Sequence, residues 1–253
     1  MKRALITGAS GGIGFEVAKR LASQGYQLTL VARSEDKLNK ALAGLNGDGH
    51  SIFVADLTKK EDLQKLTDHL ASSKYDVLIN NAGSGLYGRF VEIALEDHLN
   101  TMQLNMDALV TLSYRFLEKA SSGDALVNIG SLIAHSSLPG GAVYAGTKSF
   151  VANFSESLWY EFKHKGVFVM GFNPGAADSD FHSNAGGRTT DFPKFVISSI
   201  EDVADELIEA LHKRRKPRVV QGIKNRFMLW GFKFLSRKSA VNIMGQISPG
   251  ISH

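Results

Sequence analysis

Two side chains four residues apart carry the first chemical signal: Tyr144 and Lys148 in "YAGTKSF". On a helix that spacing puts both on one face, with about 5–6 Å between their Cβ atoms. An ammonium beside a phenol favours the phenolate, drawing a group that ordinarily titrates at about 10 toward working pH. Such a tyrosine can give or take a proton at a reacting oxygen. Upstream, Ser131 closes the run "DALVNIGS" and offers a hydroxyl. A partly buried helix pair with a snorkelling lysine would show the same spacing without any chemistry. The pair therefore takes its meaning from what surrounds it.

The second signal is "TGASGGIG", Thr7 to Gly14. Gly8, Gly12 and Gly14 let a backbone turn tightly and approach a diphosphate, which then meets the N–H groups and positive end of the following helix. Strand–helix turns are also glycine-rich without a ligand, so position matters. Here the triplet lies at the first strand–helix junction.

Around these residues, short aliphatic runs alternate with longer helical patterns. "RALITGA", "QLTLVAR", "SIFVADL", "YDVLINNAG", "DALVNIGS" and "VFVMGFNPG" read as strands. Between them lie helices, among them "IGFEVAKRLASQG", "EDHLNTMQLNMDALVTLSYRFLEKA" and "AVYAGTKSFVANFSESLWYEFKHKG". Regular β–α alternation implies parallel strands joined by crossovers, and nearly unbroken apolar strands imply cover on both faces. The expectation is an α/β fold: a single doubly wound Rossmann-type domain, its parallel sheet flanked by helices on both faces. Ligands of such a fold sit outside the carboxyl ends of the strands, where the strand order switches. The chemical residues fall at those ends.

The end of the second strand bears on the nucleotide. A dinucleotide fold that prefers NAD places an acidic residue there for the ribose 2′-hydroxyl. In "LVARSEDKL" that place holds Ala32, and Arg33 follows. A guanidinium matches a 2′-phosphate with two parallel hydrogen bonds, and Ser34 and Lys37 can assist. NADP(H) is expected over NAD(H). A surface arginine at the sheet edge is the alternative.

Taken together these motifs resemble the short-chain dehydrogenase/reductase family, in its branch of about 250 residues, over roughly residues 1–210. Thr7, Gly8, Gly12 and Gly14 meet "TGxxxGxG", "NNAG" is Asn80 to Gly83, and "YxxxK" is Tyr144 and Lys148. Ser131, Asn105 in "QLNMDA", Pro174–Gly175 and Asp56 in "VADLT" follow the family order. After "PG", where the family often has a small β-branched residue and then threonine, stand Ala177 and Ser179.

The resemblance implies an oxidoreductase that interconverts a secondary alcohol and a ketone by hydride transfer. Tyr144 would be the general acid/base, Ser131 would orient the substrate oxygen, and Lys148 would hold the nicotinamide ribose. Asn105 would hold a water relaying protons from Lys148 to solvent. The hydride comes from the cofactor, so no metal site is expected. The implied cofactor cleft takes in Gly8, Ser10, Gly12, Ile13, Gly14, Arg33, Asp56, Leu57, Asn81, Ala82, Gly83, Tyr144, Lys148, Pro174, Gly175 and Ser179. Substrate walls are expected after "NNAG" (Ser84, Leu86, Tyr87), after Ser131 (Ile133, His135, Leu138) and after "PG" (Phe181, His182). A lid is expected over about 176–198. The helices at 96–120 and 143–164 resemble those that pair subunits into dimers or tetramers in this family, and Phe150, Phe154, Leu158 and Phe162 add apolar area for such a contact.

Composition sets the outer limits. The 253 residues can bury one sizeable core. With no cysteine there is neither a disulfide framework nor a thiolate metal site. The opening "MKRALITGAS" has too short an apolar run for a signal peptide or a membrane span, so a cytoplasmic protein is expected.

The net charge of +4 is unevenly spread. Residues 1–210 hold 19 basic against all 25 acidic residues, net −6, and the last 43 positions hold ten basic residues alone. The expected division is thus a catalytic domain over 1–210 and a basic, aromatic extension over 211–253. "KNRFMLWGFKFLSRKSAVNIMGQI" has three readings: packing on the body or a second subunit, peripheral contact of 213–238 with an anionic membrane, or nucleic acid. Nucleic acid is the weakest, because the high pI describes the tail and not the body. A non-catalytic NADP-binding sensor or scaffold acting through the tail is the functional alternative. The intact set Asn105, Ser131, Tyr144 and Lys148 favours the enzyme.

Overall fold

The computed structural model describes residues 1–177, 179–187 and 197–251. A seven-stranded sheet forms the centre. Its strands are β1 (Arg3–Thr7), β2 (Gln27–Ala32), β3 (Ser51–Val54), β4 (Val77–Asn80), β5 (Ala125–Ile129), β6 (Phe168–Asn173) and a last strand, β9 (Arg218–Val220). The order is β3-β2-β1-β4-β5-β6-β9, and every pairing is parallel. The inner strands are buried almost throughout, as parallel strands covered on both faces must be. The edge strands β3 and β9 are only partly covered.

Helices pack on both faces. One core joins α1 (Gly12–Ser23), α2 (Glu35–Ala43) and α8 (Ile200–Lys213) to the sheet through Val17, Leu21, Leu38, Val203 and Leu207. The other joins α3 (Lys60–Ser72) and α5 (Leu109–Lys119) through Leu66, Leu70, Leu112 and Phe116. α4 (Leu95–Met102) runs into α5 through one π-helical stretch, Gln103–Ala108. α6 (Ala142–Phe162) follows β5.

Between β6 and α8 the short strands β7 (Ala176–Ala177) and β8 (Ile197–Ser198) pair in parallel, with α7 (Asp180–Asn184) between them. The expected lid is thus tied at both ends. Its residues 178 and 188–196 lie outside the described residues.

Past residue 210 the chain still belongs to the sheet: Gly171, Phe172 and Asn173 of β6 pair with Arg218, Val219 and Val220. Then come α9 (Ile223–Phe232) and α10 (Arg237–Gln246). Among the described residues no helix is long and apolar enough to cross a membrane.

The strand order reverses at β1. From there the chain adds β2 and β3 on one side, then returns to add β4 on the other. A crevice at the carboxyl ends of β1 and β4 follows from that topology.

Candidate active site

Thr7 and Asn81 join the two loops at this crevice. The Thr7 hydroxyl oxygen accepts from the backbone N–H of Asn81 and of Ala82, both at 3.0 Å. The Asn81 amide donates to the carbonyls of Thr7 and Gly8 at 3.0 and 3.1 Å. Asn81, expected to touch the cofactor, thus spends its amide on holding the glycine turn. Gly8 needs its left-handed backbone there, with φ 65°. Gly14 is required by close approach: a Cβ on it would stand 2.5 Å from both the Asn81 amide nitrogen and the Gly8 carbonyl oxygen.

Helix α1 begins at this turn with no side-chain cap and no acidic residue in its first turn. The helices α2, α3 and α8 all carry acidic residues there. The free N–H groups and the positive end of α1 face the crevice without competition, so the turn fits an anionic diphosphate.

From this turn a cavity of about 540 Å³ runs to Tyr144. It gathers Gly8, Ser10, Gly12, Ile13, Asn81, Ala82, Gly83, Pro174, Gly175 and Ser179 with Ser131, Tyr144 and Lys148. Lys37 lines it as well. Gly14, Arg33, Asp56, Leu57 and Asn105 lie outside its wall. Gly14 packs behind the turn, and Arg33 is exposed just past β2. Asp56, past β3, accepts from the Thr58 N–H at 3.1 Å and its hydroxyl at 2.7 Å, which shapes the loop carrying Leu57.

At the far end, Tyr144 and Lys148 share the buried face of α6 with Thr147, Val151 and Ala152. Lys148 Nζ donates to the Ile129 carbonyl at 2.9 Å and lies 6.0 Å from the centre of the Tyr144 ring. Ser131 ends β5. Its N–H donates to Asn173 Oδ1 at 3.3 Å, so Asn173 of β6 places the serine backbone. Asn173 escaped the sequence reading, although it immediately precedes the "PG" turn.

Asn105 lies in the π-helical stretch, which turns its side chain inward. Its amide donates to the Ser84 carbonyl at 2.8 Å and to the Thr147 hydroxyl at 3.0 Å, while its oxygen accepts from the Ser84 N–H at 2.9 Å. A Cβ on Gly83 would stand 3.1 Å from Asn105 Oδ1 and 3.3 Å from Lys148 Nζ. The asparagine and the lysine therefore face the same glycine.

Burial sets the proton affinities. Desolvation pushes the Tyr144 phenol up to about 12, against a smaller pull downward from its hydrogen bond to Ser131. Desolvation brings the Lys148 ammonium down to about 8. The expected lowering of Tyr144 is thus outweighed in the protein alone, because taking a phenolate out of water costs more than the hydrogen bond to Ser131 returns.

The outer walls are mainly apolar, with polar groups of Ser136, His182 and Asn184 among them. Tyr87, Ile133, Leu138, Phe181 and His182 line the cavity, and Ser84, Leu86 and His135 do not. The Tyr87 hydroxyl lies 3.2 Å from His182 Nδ1, and the Tyr87 and Phe181 rings pack 6.3 and 5.6 Å from Tyr144. The tail closes the cavity with Met228, Leu229 and Phe232 of α9, with Met244 of α10, and with Ile247 just beyond it. Its inner face therefore packs on the body.

Residues 2–188 match the family model described as short chain dehydrogenase. The chain belongs to the short-chain dehydrogenases. It is an oxidoreductase acting on the CH–OH group with a nicotinamide cofactor.

This short-chain dehydrogenase is 30% identical over 217 residues to an uncharacterized oxidoreductase of Staphylococcus epidermidis, covering 83% of this chain and 90% of that one. Among solved structures it resembles a short-chain dehydrogenase from Sphingobium yanoikuyae in complex with NADPH. That likeness has a TM-score of 0.83 and 29% identity, and covers 92% of this chain and 94% of the other. The bulky-bulky ketone specific alcohol dehydrogenase from Comamonas testosteroni is similar at TM-score 0.76 and 27% identity, with 92% of each chain covered.

Proposed function

We propose that this dehydrogenase interconverts a bulky, apolar secondary alcohol and its ketone, with NADP(H) preferred over NAD(H). The observation that carries the reading is one continuous cavity, with an uncapped glycine turn at one end and Ser131, Tyr144 and Lys148 at the other.

Bound at the glycine turn, the cofactor supplies or accepts the hydride. The protein's own residues do the rest. The Ser131 hydroxyl holds the substrate oxygen beside Tyr144, and the phenol, protonated at neutral pH, donates its proton as the alcohol forms. Lys148, held near a pKa of about 8, sits one turn away with Asn105 across Gly83, and this line is the route by which the tyrosine regains a proton. Tyr87, Phe181 and Phe232 keep bulk water from the reacting oxygen and favour large apolar substituents. The preference for a 2′-phosphate rests on Ala32 in place of an acid, on Arg33 at the mouth of β2, and on Lys37 in the cavity wall. The relatives support both halves of the reading, one bound to NADPH and one specific for bulky ketones.

The test is a panel of ketones graded by size, followed by NADPH absorbance, with Tyr144→Phe beside the wild type. Turnover should favour the bulky members and fall at least 10²-fold, on the order of the contribution of general acid–base catalysis, in the variant. NADPH should bind both proteins alike by fluorescence titration. Turnover of the variant within a few-fold of wild type would remove Tyr144 from the chemistry.

The exposed Leu95, Leu99 and Met102 on α4 and Phe150 on α6 also fit a symmetric contact between copies. Light scattering at micromolar concentration should give a dimer or tetramer mass.

A further inference from the structure

The outer face of α9 is unlike its inner one. Ile223, Phe227 and Trp230 of the helix, with Phe234 in the turn after it, form a stripe at spacings of four, three and four residues. They are 61%, 67%, 61% and 73% exposed, and the Trp230 and Phe234 rings pack edge to face at 5.0 Å. Single exposed apolar side chains need no explanation, but four in one line, three of them aromatic, form a patch that water does not favour.

The charges of the segment that carries this stripe have one sign. Lys224 and Lys233 flank it in sequence, Arg237 and Lys238 open α10 a few residues on, all four are exposed, and the chain holds no acidic residue after Glu209. From another element, Glu206 of α8 reaches the helix directly, and Glu209 of α8 acts on Arg226 through its charge. Glu206 accepts from the Gly222 N–H at 2.8 Å and pairs with Arg226 at 3.0 Å, at the end of α9 nearest the sheet. Glu206 thus anchors the start of α9, while Lys224, Lys233, Arg237 and Lys238 stay exposed.

We propose that this face docks on the surface of an anionic phospholipid bilayer. Aromatic side chains at an interfacial depth, ringed by lysine and arginine, match a leaflet with apolar acyl chains below anionic headgroups. A protein partner of the same charge pattern is the poorer fit, since the stripe is narrow and its rim lacks acids for mixed pairing. Docking is peripheral and reversible. The inner face of the same helix lines the cavity through Met228, Leu229 and Phe232, so docking brings the cavity wall to the lipid surface. The docking does not rest on the catalytic reading.

The experiment is co-sedimentation of the full chain with vesicles of phosphatidylcholine alone and of phosphatidylcholine with phosphatidylserine. Three proteins are compared: wild type, the triple variant Phe227→Ser, Trp230→Ser, Phe234→Ser, and the charge variant Lys224→Glu, Lys233→Glu. All substituted residues are exposed, and thermal unfolding checks that each variant folds. Wild type should pellet with the anionic vesicles at low salt and not with the neutral ones. Its tryptophan emission should shift to the blue as Trp230 enters the interface. The charge variant should bind at least roughly 25-fold more weakly, given about fivefold for each basic residue at such a surface. The triple variant should lose both pelleting and shift. Wild type remaining in solution with anionic vesicles overturns the proposal, as does a triple variant that binds like wild type. A wild type indifferent to lipid whose mass drops in the triple variant assigns the stripe to a second copy and overturns it too.

Discussion

Tyr144 and Lys148 stand one helical turn apart on the buried face of α6, and burial moves their proton affinities in opposite directions. The phenol goes up to about 12 and the ammonium down to about 8. Both sites are protonated at neutral pH, which suits ketone reduction. Alcohol oxidation needs a further push on the phenol, and a positive charge beside it would supply that push.

Adding the oxidised cofactor should therefore lower the ionisation pH of Tyr144. Ultraviolet difference titration of tyrosinate, wild type against Tyr144→Phe, reads it directly. The difference signal should emerge at lower pH with the oxidised cofactor than without. An unchanged midpoint would show that the phenol does not sense the nicotinamide.

Lys148→Met should stabilise the protein while ending its turnover. Lowering an ammonium from 10.5 to about 8 corresponds to roughly 3 kcal/mol of cost to the folded state. Part of the gain is lost with the bond to the Ile129 carbonyl, leaving about 1–2 kcal/mol at pH 7. The sign follows from linkage. The folded pKa is depressed, so the cost is full below pH 8 and fades as pH rises to 10.5. Denaturant unfolding at pH 7 and pH 10 should show the variant's advantage shrinking. An advantage that grows with pH would contradict the burial reading.

Arg33→Ala should weaken NADPH far more than NADH. A charge-assisted phosphate contact contributes about 1.5–3 kcal/mol, roughly tenfold to more than a hundredfold in affinity. Lys37→Ala should act in the same direction, because Lys37 lines the cavity. Equal losses for the two cofactors in parallel titrations would mean that neither residue reads the 2′-phosphate.

Gly14→Ala should disrupt the turn and not merely crowd it. The added methyl would meet the Gly8 carbonyl at 2.5 Å, and backbone cannot swing aside as a side chain can. A loss of about 1–3 kcal/mol in stability is expected from overpacking, with a still larger loss of cofactor affinity. Thermal unfolding with and without NADPH separates the two.

Phe232→Ala should raise KM for bulky ketones while changing kcat little, because Phe232 packs against the group that includes Tyr144 without reaching the reacting atoms. A fall in kcat with KM unchanged would instead assign it a part in the chemistry.

By itself the sequence determined the alternation of strands and helices, the glycine turn, and the order Asn105, Ser131, Tyr144, Lys148. These are local matters: periodicity, turn chemistry and spacing along a helix. Three things were decided by tertiary structure. The direction of the Tyr144 shift depends on burial, to which Tyr87 from the loop after β4 and Phe181 from α7 bring their rings, so spacing to Lys148 could not supply it. The last strand, Arg218–Val220, is three residues behind a basic run, too short for a period, and only its pairing with β6 reveals it. Finally, α9 carries apolar residues around most of its circumference, so no periodicity separates the side that lines the cavity from the side left in water. That division exists only because the body covers Asn225, Met228, Leu229 and Phe232 and leaves Ile223, Phe227 and Trp230 outside.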